Sequence, residues 1–211
     1  DDGRTVAIRL LRSGVRPDRE LAALHLAAEY RHPAPRLLAE GTVDGGAVLV
    51  MTWCPGRPIG DLLIDDGDPT ELGTAFGRAQ ARLHRRMDDG TVLCHLDYQP
   101  YNVLVEGDAV SGIVDWSNAR AGRPAEDVAT TAVILEIAPA VVPDLAATID
   151  EFTSAWRAGY AELHPMPDED ELVPCLARAA QLQLDTWRPR AATCPPAVLE
   201  RAEAIAERWH Q

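Results

Sequence analysis

Four polar residues in one apolar stretch, Val92 to Trp116, have the types and spacing to do chemistry: His95, Asp97, Asn102 and Asp115. Asp97 follows His95 by two residues, Asn102 comes five residues later, and Asp115 ends the run Gly112-Ile113-Val114. Phosphoryl transfer asks for positioning and charge neutralisation rather than covalent help: a group to receive a hydroxyl proton, and ligands for a metal ion on the phosphates. Mg²⁺ prefers hard oxygen ligands and keeps several waters, so one carboxylate and one amide oxygen are enough to anchor it. Asp97 is then the candidate base, and Asn102 and Asp115 are the candidate metal ligands.

Those roles require Asn102 and Asp115 to approach each other with Asp97 alongside. Asn102 to Val105 and Ile113-Val114 read as short strands about the turn Glu106-Gly107-Asp108. A hairpin of that kind draws Asn102 toward Asp115 and sets the loop from His95 to Tyr101 beside them. Turns of Asx-type residues would explain isolated pieces of this pattern, but not the whole ordered set in its apolar frame.

The pattern H-x-D-x4-N, followed by two apolar residues and D-W, resembles that of the aminoglycoside phosphotransferase family. The stretch from Asp115 to Ala129 is similar to that family's segment after the metal-binding Asp. Leu96 departs from the pattern, which usually has Gly there; a Leu fits if its backbone angles are ordinary. The resemblance implies an α+β, protein-kinase-like two-lobed fold. Residues 1–53 would form a partial N-terminal lobe of strands and one helix, and residues 54–211 a mainly helical C-terminal lobe with the catalytic loop and metal-binding hairpin. It also implies Mg²⁺-dependent transfer of the γ-phosphoryl group of ATP (or GTP) to a hydroxyl of a small molecule: an amino sugar, a macrolide sugar or an amino alcohol. Antibiotic resistance is the cellular role such a kinase implies.

Arg4 to Arg12 alternates as a strand, with Arg9 on the face shared by Ala7 and Leu11. An Arg on such a face needs an anionic partner. The chain contains no lysine, so Arg9 is the candidate for the cation that, in the resembling family, contacts nucleotide phosphates and pairs with a helix Glu. Its guanidinium can hold phosphate through two parallel bonds. Glu20, in the first turn of a helix opened by Pro17 and running to about Tyr30, is its best partner; a helix-start acid with no further role is the competing account. Leu37 to Val43 and Ala47 to Thr52 read as strands around Asp44-Gly45-Gly46. By resemblance, Thr52-Trp53-Cys54-Pro55-Gly56 is the hinge against which the adenine lies. There Thr52 would offer its C=O, Cys54 its N–H, and Met51 a packing surface at the back. The resemblance also makes Asp127 a structural residue bonding back to the catalytic loop, and gives His84 a packing or hydrogen-bonding role.

Helices follow over Pro69 to Met87, Pro124 to Ala138, Pro143 to Leu163, Asp168 to Trp187 and Pro196 to Trp209. The resemblance is specific from about Arg4 to Thr131 and loose beyond. The run Asp168-Glu169-Asp170-Glu171 exceeds what a helix start needs, so Asp168 and Glu169 are expected in the acceptor cleft, where they would favour an amine-bearing substrate. The net charge of −13 argues against a nucleic-acid surface and serves mainly solubility. Four cysteines without C-x-x-C spacing indicate neither a zinc site nor a disulfide framework and fit a reducing cytoplasm. No apolar run approaches the ~18 residues of a membrane span, and no signal peptide is visible. The expected partners are therefore a nucleotide and a small hydroxyl acceptor, not nucleic acid or membrane. With only five residues before Val6 and no initial Met, the Gly-rich hairpin that covers the phosphates in kinase folds has no room. The chain reads as a fragment of a longer kinase, its sheet short and exposed at one edge. A non-catalytic nucleotide-binding protein is the alternative this raises, and the intact set of Asp97, Asn102 and Asp115 opposes it. A protein kinase proper is disfavoured because the chain passes almost directly from Asp115 to a helix, with no activation segment.

Overall fold

The computed structural model describes residue 3 and residues 5–209; Arg4, at the start of the first predicted strand, lies outside them. The first layer holds β1 (Val6–Leu10), α1 (Asp18–Glu29), β2 (Leu37–Val43) and β3 (Gly46–Thr52). β3 is central and antiparallel to both neighbours, in the order β1-β3-β2. Asp44 at φ 50° and Gly45 at φ 77° form the β2–β3 turn, the pair of left-handed residues whose twist matches the strands they join. The predicted alternation of β1 is present, and burial decides which face is which. Ile8 and Leu10 are 63% and 70% exposed, while Ala7 and Arg9 turn inward over the buried Leu49 and Met51 side of the sheet.

The second layer begins with β4 (Arg57–Pro58), α2 (Ile59–Ile64) and α3 (Pro69–Leu83). Asp68 caps α3 by accepting from the N–H groups of Thr70 and Glu71 at 2.8 and 3.0 Å, satisfying two of the donors a helix start leaves open. α3 stops at Leu83, not at Met87 as the apolar stripe predicts. There follow β5 (Val92–Cys94), β6 (Val103–Glu106), β7 (Ala109–Ile113) and β8 (Arg120–Gly122), with β6 between β4 and β7 and β5 paired to β8. Asn102 does not open the strand predicted from it; it closes a single 3-10 turn, Pro100–Asn102, before β6. The chain ends in α4 (Pro124–Val141), α5 (Ala146–Ala161), α6 (Glu169–Trp187) and α7 (Pro196–Trp209).

Two cores hold these parts. The larger unites Leu24 of α1, Leu49 of β3, Phe76 of α3, Ile113 of β7, Trp116 and Trp156 of α5. It therefore crosses residues 53 and 54, where the lobe boundary was drawn in the link between β3 and β4. The smaller lies among α4, α6 and α7, through Val133, Ile137, Leu176, Val198 and Ile205. α3 and α5 approach backbone to backbone. A Cβ on Gly77 would fall on the Trp156 carbonyl, and one on Gly159 on the Thr74 carbonyl. No single helix among the described residues is long and apolar enough to cross a membrane.

Candidate functional site

β5 delivers the chain to His95 and Leu96. Leu96 has φ 60°, so the ordinary angles under which a Leu would fit in place of Gly are not the ones it adopts. A non-glycine side chain in that region costs about 1–2 kcal/mol, and the strain is opposed by a short bond from the Leu96 N–H to Asp127 Oδ1 at 2.6 Å. Asp127, at the start of α4, is fully buried. Its other oxygen accepts from His84 Nε2 at 3.0 Å and Gln80 Nε2 at 3.1 Å. Burial works against its charge, but His84 and the Leu96 N–H outweigh it and hold its pKa below the usual value. His84 Nδ1 meets the Tyr160 hydroxyl at 2.6 Å, so α3, α4, α5 and the loop that follows β5 share one buried polar network. His95 donates from Nε2 to the Val114 carbonyl at 3.0 Å, and burial lowers its pKa, keeping the ring neutral. That bond ties the loop to the end of the β6–β7 hairpin.

Asp97 and Asn102 are in direct contact. Asn102 Nδ2 donates to the Asp97 carbonyl at 2.9 Å and to its Oδ2 at 3.2 Å; Gln99 Nε2 donates to Oδ1 at 3.1 Å. Burial, reinforced by the nearby Asp115 charge and opposed by these two amides, pushes Asp97 up to about 6. Because both acceptors around Nδ2 are oxygens, the amide orientation is fixed by chemistry and Oδ1 is left for another partner. The hairpin brings Asp115 in as predicted, through Val114 N–H to Asn102 O at 2.9 Å. Asp115 is itself left-handed, at φ 60° and ψ 68°. Its Oδ1 accepts from Arg9 Nη1 at 2.9 Å and from the Ser117 hydroxyl at 2.8 Å. Burial opposes its charge, but Ser117 and Arg9 outweigh that and lower its pKa. Asn102 and Asp115 line one cavity of about 520 Å³. An ionised carboxylate and an oriented amide oxygen on one wall are a donor set that fits Mg²⁺.

Arg9, Glu20 and Met51 line that same cavity. Arg9 Nη1 lies 3.3 Å from Glu20 Oε1 as well as against Asp115, so the predicted partner is there and a second acid, not foreseen, shares the guanidinium. Glu20 is buried, and its Oε2 has no hydrogen-bond partner among the described residues. Burial raises its pKa, with Arg9 opposing and Asp115 adding to the rise. Thr52 ends β3, Cys54 follows in the link to β4, and neither is part of this cavity's lining. Thr52 exchanges two bonds with the Arg36 backbone, each 2.9 Å, and Cys54 packs so closely on Gly112 that a Cβ there would sit 2.6 Å from its own.

Asp97 itself is in the wall of a second cavity, of about 570 Å³, enclosed by α2, α4, α5 and the end of α6. Asp168 and Glu169 do not reach it. Both are exposed, and Asp168 Oδ1 accepts from the Glu171 N–H at 3.0 Å as the N-cap of α6. α6 presents Leu182, Thr186 and Trp187 to the cavity, and at 1.5 Å per residue its first turn is roughly 20 Å away from these. The acidic run is a helix start. Sequence reasoning also missed Gln80, Gln99, Ser117 and Tyr160. Gln80 had a signal, a polar residue one turn after Phe76 on an apolar stripe; so did Ser117, two residues after an acid whose carboxylate can take up such a hydroxyl. Gln99 and Tyr160 had none.

The chain matches the model of the phosphotransferase enzyme family (APH) over residues 1–91 and 85–166. No curated protein sequence matches it closely enough to count as a relative. Among solved structures, an aminoglycoside phosphotransferase from Alicyclobacillus acidocaldarius shares 14% identity with a TM-score of 0.65, covering 99% of this chain and 84% of that one. A macrolide 2′-phosphotransferase from Brachybacterium faecium shares 19% at a TM-score of 0.53, covering 97% and 84%. An aminoglycoside phosphotransferase from Streptomyces rimosus, solved with ADP and streptomycin, shares 18% at 0.53, covering 83% and 85%. The α+β, protein-kinase-like fold is common to them all. With the family's model matched across most of its length and that fold beneath it, the chain belongs to the phosphotransferase enzyme family, and is a small-molecule phosphotransferase.

Proposed function

We propose that this phosphotransferase moves the γ-phosphoryl group of ATP or GTP to a hydroxyl of a small molecule, with Asp97 as the base. The observation that carries this reading is the pair Asp97–Asn102. Asp97 is in the wall of one cavity, Asn102 and Asp115 are in the wall of the other, and the Asn102 amide is bonded to the Asp97 carboxylate. In-line transfer needs acceptor and donor on opposite sides of one dividing point.

An acceptor hydroxyl beside Asp97 would give its proton to that carboxylate as its oxygen bonds to the γ-phosphorus. The bond from phosphorus to the bridging oxygen breaks, and ADP or GDP carries away that electron pair. Gln99 and Asn102 hold the carboxylate in place throughout. A pKa near 6 makes Asp97 a stronger base than an ordinary Asp while leaving it ionised at neutral pH. Mg²⁺ held by Asn102 Oδ1 and Asp115 would neutralise phosphate charge. Arg9, oriented by Glu20 and Asp115, would bind phosphate oxygens. Met51 would pack on the base, and the Thr52 C=O and Cys54 N–H would meet its edge. The names of the solved relatives support an amino-sugar or macrolide class of acceptor, and the unpaired cysteines suit a reducing cytoplasm.

ADP or GDP release over a panel of hydroxyl acceptors, with Asp97→Asn as control, tests this. The proposal expects acceptor-dependent release that the control loses. Nucleotide binding without release for any acceptor would leave a non-catalytic nucleotide-binding protein.

A further inference from the structure

The wall of the acceptor-side cavity bears on what the acceptor is. The chain carries a net charge of −13, yet among the described residues that line this cavity only Asp97 and Arg190 are charged, one of each sign. Asp97 is bonded to two amides and committed to the transfer. Arg190 is exposed, has its guanidinium 5.7 Å from the Trp187 ring centroid, and makes no ion pair with a carboxylate among the described residues. The rest of the wall is apolar over most of its extent, through Leu63 of α2, Ile134 and Val141 of α4, Leu145, Phe152 of α5 and Leu182 of α6. Neutral hydrogen-bonding groups, Gln99, Asn118, Thr148 and Gln183, are interspersed.

A substrate bearing several ammonium groups would have to leave water with a single carboxylate, Asp97, to meet them, and burying the remaining unpaired charges is costly. Arg190 would repel it as well. An apolar body loses nothing by entering, and burial of its surface drives it in. The volume, about 570 Å³, is in the range that encloses a drug-sized molecule.

We propose that the acceptor is an alcohol with a bulky apolar body and no cluster of positive charges, seated in this cavity with its hydroxyl at Asp97. This rests on the phosphotransfer reading above and narrows it. It also reverses the amine preference expected from Asp168 and Glu169.

The test uses the full chain and two readouts. Binding is followed by tryptophan fluorescence, since Trp187 lines the cavity, and transfer by ADP or GDP release. The probes are an octyl glycoside below its micelle concentration, a neutral or monocationic macrolactone glycoside, and an amino sugar with at least three ammonium groups. The expected result is that one of the first two binds at least tenfold more tightly than the polyamine, with a Kd that does not weaken from 50 to 500 mM salt. Leu182→Asp, at a position 53% exposed and so tolerant of change, should weaken that binding about tenfold or more and narrow the gap to the polyamine. A salt-sensitive preference for the polyamine, or no fluorescence change with either apolar probe, overturns the proposal. If an apolar probe binds but no phosphate is transferred to any alcohol, the cavity assignment stands and the phosphotransfer reading fails, so the two are separable.

Discussion

At the residue scale the site is a set of charges held against burial. Asp97 makes this measurable because its pKa of about 6 lies above the ordinary 3.8. In the proposed role of base it must be ionised, so turnover should fall as pH drops through about 6. The same shift has a consequence for stability. A folded-state pKa above the unfolded one favours the native state below the unfolded value, and that contribution is lost as pH rises through the folded one. Ionised Asp97 is therefore a burden near neutrality. Asp97→Asn should lower turnover by roughly 10²–10⁴-fold. At pH 8 without Mg²⁺ it should be more stable than the wild type by on the order of 1 kcal/mol, allowing for solvent screening, with the gap closing near pH 4. Denaturant melts at both pH values check this, and an inactive variant with no gain at pH 8 would mean the carboxylate is not desolvated. For the metal, Asp115→Ala should raise the Mg²⁺ requirement more than Asn102→Ala, because it removes a charge as well as a ligand. Mg²⁺ titrations of activity decide it, and equal or absent shifts would place the ion elsewhere. Arg9, bridging Glu20 and Asp115, should be coupled to Glu20. A double-mutant cycle of Arg9→Met and Glu20→Gln on kcat/KM for the nucleotide should show about 0.5–3 kcal/mol of non-additivity, whereas strict additivity would dissolve the unit.

At the element scale the loop that carries Leu96 and Asp97 is positioned by helix packing some distance from the Asp97 carboxylate. The Leu96 N–H is held by Asp127 of α4, which is held by Gln80 of α3 and by His84 just past its end, and His84 by Tyr160 of α5. That chain works only while α3 and α5 stay in backbone contact at Gly73, Gly77 and Gly159. Gly77→Ala places a methyl on the Trp156 carbonyl, and backbone cannot yield as a flexible side chain can. The expected cost is about 1–3 kcal/mol or more, read as a lowered melting temperature, with turnover falling further than stability alone explains. Wild-type stability in that variant would mean the helices are further apart than described. The pair Gly73 and Gly77, one turn apart in a predicted helix, was legible as a close-approach signal.

At the scale of the whole molecule, the first core joins the sheet and α1 to the β6–β7 hairpin and α3, so the two sides of the cavity lined by Arg9 and Asp115, the proposed nucleotide site, belong to one cooperative unit. A ligand that bridges them should stabilise everything. Mg²⁺ with ADP at about 100 times its Kd should contribute ~2.7 kcal/mol, or roughly 5–10 °C for a chain of this size. Asp115→Ala should lose most of that shift. A thermal scan with and without Mg²⁺ reads it, and an unchanged midpoint for the wild type would argue against this cavity as the nucleotide site.

The sequence by itself determined what is local. Strand alternation, turn chemistry and the spacing of Asp97, Asn102 and Asp115 depend on neighbours along the chain, and so did the pairing of Arg9 with an acid, since a cation on an apolar strand face must find one. Only the tertiary structure decided what depends on direction across distance. It put Leu96 in the left-handed region, where the condition of ordinary angles for a Leu is not met, because an N–H had to meet Asp127 thirty-one residues on. It gave Arg9 a second acid, because the hairpin delivers Asp115 onto the sheet's inner face. It left Asp168 and Glu169 in solvent, because the opposite end of α6 is the one that reaches the cavity. Charge counted along a chain does not say which wall it lines; the packing of helices does.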